Sequence, residues 1–288
     1  MALRKAEGAK YFLSLTTEEA AMSATGMYQN MIEEQTKHGF SDRHSPFGKQ
    51  VSKDGCGFFE YLGKPEGAAA LNKVINGRIT RPALIHDYPW ADLKDSRVVD
   101  VGCGPGDAAM DILRLNKTLR WCFQDLPPAI DQVKKAIPED LKDAVERSQI
   151  TFQEQDYFKE NVSEGDVWFM RGVLREYDDE QATAVLQKIA QAMTKTPGCK
   201  LLINEIVCGS ATIARPDEVS KPPSATTPRE QALWSYTGNL MACNACILLG
   251  GKERSLQEYR TLIERAGLRI SGFFQMRSII TMIECSLG

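Results

Sequence analysis

Asp100, Gly102, Gly104, Gly106 and Asp125 are the residues of this chain whose types and spacing could do chemistry. They lie in Ser96–Asp107, SRVVDVGCGPGD, and in Gln124–Pro127, QDLP. Val98, Val99 and Val101 form the short apolar run that a buried parallel strand needs. The glycines then bend the backbone sharply and admit a ligand with no Cβ in the way. Asp125 follows Gly102 by 23 residues, a spacing that sets an acidic side chain at the tip of the next strand. There it can accept hydrogen bonds from a ribose diol. A lone glycine pair reads as a plain strand-to-helix turn, but two carboxylates in register with three glycines point to a nucleoside-bearing cofactor.

The details choose among such cofactors. A dinucleotide fingerprint wants a third glycine at position 107, where this chain has Asp107. Asp100, just before the glycines, would repel a pyrophosphate yet could receive an ammonium group. A ligand with a ribose, an amino-acid end and no phosphate fits both carboxylates. That ligand is S-adenosylmethionine.

Composition agrees with an enzyme and excludes some other classes. With 288 residues, 43% of them hydrophobic, the chain can bury a large core and a smaller helical appendage. The formal net charge is −3 with both signs interspersed, so no basic footprint for nucleic acid is present. No apolar run reaches the ~18–20 residues that span a bilayer, and the first ten residues lack a signal-peptide core. Cys122, Cys199, Cys208 and Cys285 sit in apolar runs, the habit of reduced thiols, which predicts a cytoplasmic protein. Cys243 and Cys246 make a CxxC within LMACNACILLG. Without a second pair it reads as part of a buried helix.

The elements that must position these residues follow a simple order. Thr16 and Glu19 are spaced as a capping box ahead of a helix with Ala20, Ala24, Met27, Tyr28 and Met31 on one face. His38–Gly57 reads as a polar loop, and Phe58–Gly77 as two short helices around Gly63-Lys64-Pro65. From Arg97 strands and helices alternate, with strands at Val98–Val101, Trp121–Gln124, Ile150–Glu154, Val167–Met170 and Leu201–Ile206. This predicts a doubly wound parallel sheet of the α/β class. Asp178 begins a helix with apolar Ala182, Val185, Leu186, Ile189 and Met193. Gly209–Glu230, with four prolines, reads as an irregular lid, and Gln231–Leu249 as an apolar helix. Ser255 and Glu258 cap another helix that closes at Gly267. Arg269–Gln275 and Ser278–Glu284 are too close in sequence to pair other than antiparallel.

VVDVGCGPGD, QDLP, QDYF at 155–158, LLINEIV at 201–207 and GGKERSLQEYRTLIERAGL at 250–268 together resemble the O-methyltransferases of plant and fungal secondary metabolism, the fungal branch most. The resemblance runs from about Phe58 to the C-terminus. It implies a class I methyltransferase fold, a Rossmann-like doubly wound sheet ending in an antiparallel hairpin. It also implies that Gly102 and Gly104 line the cofactor, that Asp125 holds its ribose, and that Asp156 with Tyr157 or Phe158 flanks the adenine. Leu126 and Arg171 complete the expected cofactor set.

At the chemical centre the chain departs from the family. Where those enzymes carry a segment resembling LRNVLHDW, with a histidine general base, this chain has Met170–Tyr177, MRGVLREY. The base position is Arg175, and a guanidinium cannot take a proton at working pH. A cation there resembles the S-adenosylmethionine-dependent pericyclases of fungal pyridone biosynthesis. In those enzymes, the resemblance implies, a cationic residue polarises a substrate carbonyl and the cofactor is not consumed. Dehydration, cycloaddition or rearrangement of a polyketide-derived substrate is therefore the first expectation. Methylation of a phenol or enol without a histidine base is the alternative. Glu176 could orient the guanidinium as a bidentate partner. Glu205, in an apolar strand beside Asn204, matches the family glutamate that orients the base. His44 is the candidate counterpart of an upstream histidine in the pericyclases. Trp234, Tyr236, Met241 and Leu248 could wall an apolar substrate pocket, and Asn239 and Asn244 could point into it.

The expected division is a helical segment over 1–90 and a cofactor-binding domain over 91–288. The residues before Phe58 fall short of the ~100-residue winged-helix domain that the family places there, which predicts a reduced dimerisation region and a less secure homodimer. The expected partner is a small-molecule substrate, with no metal, nucleic acid or membrane.

Overall fold

The computed structural model describes residues 9–30, 32, 42–52, 54–76, 80–208 and 237–288. Two compact units result. One comprises residues 82–174, 179–231 and 254–288, and the other residues 1–81, 175–178 and 232–253. The helical unit thus draws on three stretches of chain rather than on an N-terminal block alone.

The larger unit is built on one sheet. Its strands are β1 (Arg97–Val101), β2 (Arg120–Asp125), β3 (Ile150–Glu154), β4 (Val167–Arg171), β5 (Lys200–Cys208), β6 (Arg254–Ser255), β7 (Leu268–Gln275) and β8 (Ile280–Leu287). Their order is β3-β2-β1-β4-β5-β8-β7, with β6 paired to β5. β1 to β5 run parallel, while β8 runs antiparallel to β5 and β7 antiparallel to β8. The order reverses between β1 and β4, so the carboxyl ends of these strands form the crevice where ligands bind in such sheets. Trp90, Trp121, Phe123 and Phe169 are buried beneath it. Trp121 meets Phe169 edge to face with centroids 5.9 Å apart.

Local signals explain most boundaries. Ser255 accepts from Glu258 N–H while Glu258 answers on the Ser255 N–H, closing the expected capping box at Leu256–Arg265. Gly267, at φ +80°, follows that helix. Ala182, Val185, Leu186, Ile189 and Met193 are all buried along Asp179–Met193. The closing hairpin begins and ends slightly later in β8 than the sequence suggests.

The helical unit corrects several expectations. The chain does not form one helix from Thr16. Helices span Ala9–Thr17 and Glu19–Ala24, and Glu18 makes no side-chain cap. Burial of Ala20 and Ser23 sets the second helix, while Tyr28 is exposed. Packing has overridden the local box, and Met31 lies outside the described residues. Part of the expected loop is ordered: Asp42–His44 forms a 3-10 turn and Pro46–Gln50 a helix. Ser45 accepts from Gly48 N–H with Pro46 in the first turn, a start signal that composition alone conceals. Phe58–Leu62 and Ala68–Asn76 form as expected, and Gly77 is outside the described residues. Phe47, Phe58, Leu62, Ala70, Leu248 and Leu249 make this unit's core.

The described part of the late apolar helix covers residues 237–249 and widens into a π turn at Ala245–Leu249, closed by Gly250 at φ +64°. Cys243 is exposed rather than buried, with Cys246 half-buried. No helix among the described residues is long and apolar enough to cross a membrane, and no cluster of His, Cys, Asp or Glu among them could hold a metal. The expected lid at 209–230, with Trp234 and Tyr236, lies outside the described residues.

Candidate functional site

In the sheet unit, β1 ends in a loop with Gly102, Gly104 and Gly106 at φ +70°, +54° and +68°. That left-handed backbone is open to glycine at little cost and strained for other residues. A Cβ on Gly106 would stand 2.9 Å from the Phe123 ring, so this glycine lets the following helix, Asp107–Leu115, approach the sheet. A Cβ on Gly104 would meet nothing within 4 Å. The loop therefore opens toward space at that point.

Asp125 stands at the end of β2. Its Oδ2 accepts from Gly104 N–H at 2.9 Å and its Oδ1 from Leu126 N–H at 2.8 Å. Burial raises the carboxyl above its ordinary range, and these two backbone donors pull it back. Next to it Leu126 is 52% exposed, and Phe158 is 38% exposed. Asp156 Oδ1 accepts from Phe158 N–H at 3.0 Å, an Asx turn that shapes Asp156–Phe158. Tyr157 approaches the glycine loop, its ring 3.4 Å from a Cβ built on Gly102. A carboxylate flanked by large apolar side chains and an open glycine loop suits a nucleoside.

Asp100 is almost wholly buried, and Trp121 donates its indole N–H to Asp100 Oδ2 at 3.0 Å. Burial pushes the carboxyl up to about 7; Asp125 and Asp107 push the same way, against the Trp121 hydrogen bond and the Arg171 charge. Arg171, half-buried at the end of β4, thus acts on Asp100 through its field. Burial, followed by the charges of Asp100 and Asp125, also holds the Cys103 thiol protonated and so poorly nucleophilic.

Asn204 and Glu205 are both buried in β5. Asn204 Nδ2 donates to Thr281 O at 3.1 Å, toward β8. Glu205 Oε1 accepts from Leu174 N–H at 2.9 Å. The same leucine's carbonyl accepts from Arg254 at 2.7 Å, and Arg254, fully buried, also donates to Asp179 at 2.8 Å. Leu174, the residue before Arg175, is therefore held at both backbone polar atoms.

In the helical unit, Arg175 pairs with Glu253, Nη1 to Oε1 2.9 Å, the Glu253 side chain being fully buried. Adjacency in sequence points to Glu176 as the partner; the structure supplies Glu253. Lys252 N–H donates to Arg175 O at 2.8 Å, and a Cβ on Gly251 would stand 2.0 Å from that oxygen. Glu176 is half-buried in the same 3-10 turn, Leu174–Glu176. His44 ends the Asp42–His44 turn, whose carbonyl accepts from the Asn30 side chain. Ser45 Oγ donates to Leu248 O at 3.1 Å, which ties this turn to the π-helical segment leading to Glu253. Met241 is half-buried, Leu248 buried, Asn239 exposed and Asn244 buried.

Sequence reading missed Glu253, Arg254 and Trp121. The first two stand in GGKERS, one of the motifs that carries the resemblance, so the signal was present without a role. Trp121 reads as plain core until Asp100 is seen beside it.

Comparisons with known proteins agree with this fold. The chain is 32% identical over 217 residues to the O-methyltransferase gedA of Aspergillus terreus, covering 74% of this chain and 43% of that one. It therefore spans less than half the length of such curated relatives, 44% in the case of tpcA of Aspergillus fumigatus. Among solved structures it resembles the O-methyltransferase NcsB1 bound to S-adenosylmethionine and a hydroxy-methyl-naphthoic acid, with TM-score 0.69 and 20% identity over 98% of this chain and 74% of that one. LepI in complex with S-adenosylmethionine gives TM-score 0.67 at 20% identity, covering 98% and 68%. At these identities the likeness speaks for the fold alone. Residues 55–269 match the O-methyltransferase domain, and this chain belongs to that family, whose cofactor is S-adenosylmethionine.

Proposed function

We propose that this chain binds S-adenosylmethionine at the glycine loop and transfers its methyl group to a phenolic or enolic small molecule, in fungal-type secondary metabolism. The observation that carries the reading is the cradle of Gly104, Asp125 and Asp100, which matches a ligand with a ribose and an ammonium end and no phosphate. Asp125 would hold the ribose hydroxyls, with both its oxygens already oriented by backbone N–H groups. Asp100 would take the ammonium at Oδ1, since Trp121 holds Oδ2. Leu126 and Phe158 would flank the adenine, and the Arg171 charge would favour the ionised form of Asp100 against the effect of burial. The bound cofactor supplies an electrophilic methyl on a sulfonium.

Arg175 decides what acceptor this chemistry allows. It cannot remove a proton, so the acceptor hydroxyl must be acidic enough to ionise by itself near neutrality. A guanidinium at the position where the family keeps its base would stabilise the resulting oxyanion. Glu253 orients the fork and also offsets part of its charge. That offset, together with relatives named as O-methyltransferases, is why methyl transfer stands ahead of rearrangement.

The pericyclase reading keeps one specific support: a cation at the position where the family has its base. With S-adenosylmethionine labelled in the methyl group and a panel of phenols and enols, methyl transfer predicts label in product and stoichiometric S-adenosylhomocysteine. Unlabelled isomerised or dehydrated product with intact cofactor would overturn it in favour of the pericyclase.

A further inference from the structure

Below the ribose carboxylate lies a closed group of buried side chains that no part of the chemistry above uses. Gln124 Nε2 donates to Ser163 Oγ at 2.8 Å and shares its protons with Gln153 Oε1 at 3.1 Å and Asn161 Oδ1 at 3.3 Å. Asn161 Nδ2 returns a hydrogen bond to Gln124 Oε1 at 2.8 Å, and Ser163 Oγ donates to Gln153 Oε1 at 2.6 Å. Asn161 Oδ1 also accepts from Ser163 N–H at 3.1 Å. Gln124, Asn161 and Ser163 are buried, so each bond is made in a low-dielectric interior, where an unpaired amide is expensive.

The position of this network gives it a consequence. Gln124 precedes Asp125, and its backbone carbonyl accepts from both Gly102 N–H at 2.9 Å and Cys103 N–H at 3.1 Å. Asn161 and Ser163 close the segment that begins with Asp156–Phe158. Gln155 pins that segment from inside, donating to Asp156 O at 2.9 Å and Glu160 O at 3.1 Å. One residue of β2 is therefore joined through its backbone to the glycine loop and the ribose carboxylate, and through its side-chain amide to the far end of the adenine segment.

We propose that Gln124, Gln153, Asn161 and Ser163 are positioning residues that fix the adenine segment against the ribose carboxylate before the cofactor arrives. The inference rests on the S-adenosylmethionine site proposed above and deepens it. Preorganisation of this kind raises affinity by removing the ordering cost from the binding step. It acts on the nucleoside end, not on the amino-acid end held at Asp100.

Calorimetry on Ser163→Ala and Asn161→Ala, with S-adenosylmethionine and 5′-methylthioadenosine as probes, tests it. Both probes should bind about tenfold more weakly to each variant, while Ser163→Thr, which keeps the hydroxyl, should restore most of the affinity for both. Asp100→Asn should weaken S-adenosylmethionine alone. Unchanged affinity in the folded alanine variants, or loss confined to S-adenosylmethionine, would overturn the inference. Failure of the wild-type protein to bind either probe would instead overturn the cofactor reading. Hydrogen exchange on wild type needs no variant: the Phe158 amide should be protected before ligand is added, and protection arising only with ligand would refute a preset segment.

Discussion

Gly104 donates its backbone N–H to Asp125 Oδ2 at 2.9 Å, so the carboxylate proposed to hold the ribose is docked on the glycine loop. Since Leu126 N–H occupies the other oxygen, rotation of the carboxylate is restrained from both sides. The remaining lone pairs face outward in a fixed direction.

Asp125→Ala should weaken S-adenosylmethionine binding by about 1.5–3 kcal/mol, the worth of a charged acceptor in a mostly buried setting. Asp125→Asn should be nearly as damaging, because its NH2 would face one of two backbone N–H donors. Isothermal calorimetry on both variants checks this, and wild-type affinity in either would refute the assignment.

Asp100 supplies a pH dependence with a definite sign. Burial raises its folded-state value to about 7 from an ordinary 3.8, so the folded chain holds this proton more tightly than the unfolded chain does. Its contribution to stability is full below about pH 4 and is lost as pH rises through about 7. The melting temperature of cofactor-free protein should decline across that window more steeply in wild type than in Asp100→Asn. Affinity for S-adenosylmethionine should rise over the same window, since the ammonium needs the ionised carboxylate. Equal slopes in thermal melts of the two proteins would count against it.

The Arg175–Glu253 pair should be costly to break from one side. Glu253→Gln leaves a largely buried guanidinium without its countercharge, a loss on the order of 3 kcal/mol, measurable by urea titration. Arg175→His, which places an imidazole beside the Glu253 carboxylate, should speed methyl transfer to weakly acidic phenols by ~10²-fold. It should change little for acceptors already ionised. No gain on any acceptor, with initial rates followed by labelled methyl, would remove the basis for the methyltransferase reading of this position.

Gly251 is a steric rather than a chemical requirement. Any Cβ there would stand 2.0 Å from Arg175 O, against backbone that cannot swing aside. Gly251→Ala should therefore cost about 1–3 kcal/mol of stability and lower turnover with it, as the Lys252 N–H bond to Arg175 is displaced. Differential scanning calorimetry alongside initial rates would show both changes, and a silent variant would mean that the segment moves freely.

The cofactor end of this protein was legible in one dimension. The valine run of β1, the positive-φ glycines, Asp125 at the tip of β2 and the Ser255–Glu258 cap depend on residues a few positions apart or on a repeating strand–helix period. Such short-range physics acts wherever the chain goes. Tertiary structure decided the rest. Glu253 meets Arg175, Trp121 meets Asp100, and Asn161 meets Gln124 only because the chain path brings distant segments together, and no spacing rule encodes such meetings. The same physics overruled a local signal at Thr16 and Glu19, where burial of Ala20 and Ser23 outweighed the capping box. It also made a helix of Pro46–Gln50, because Phe47 had a core to enter.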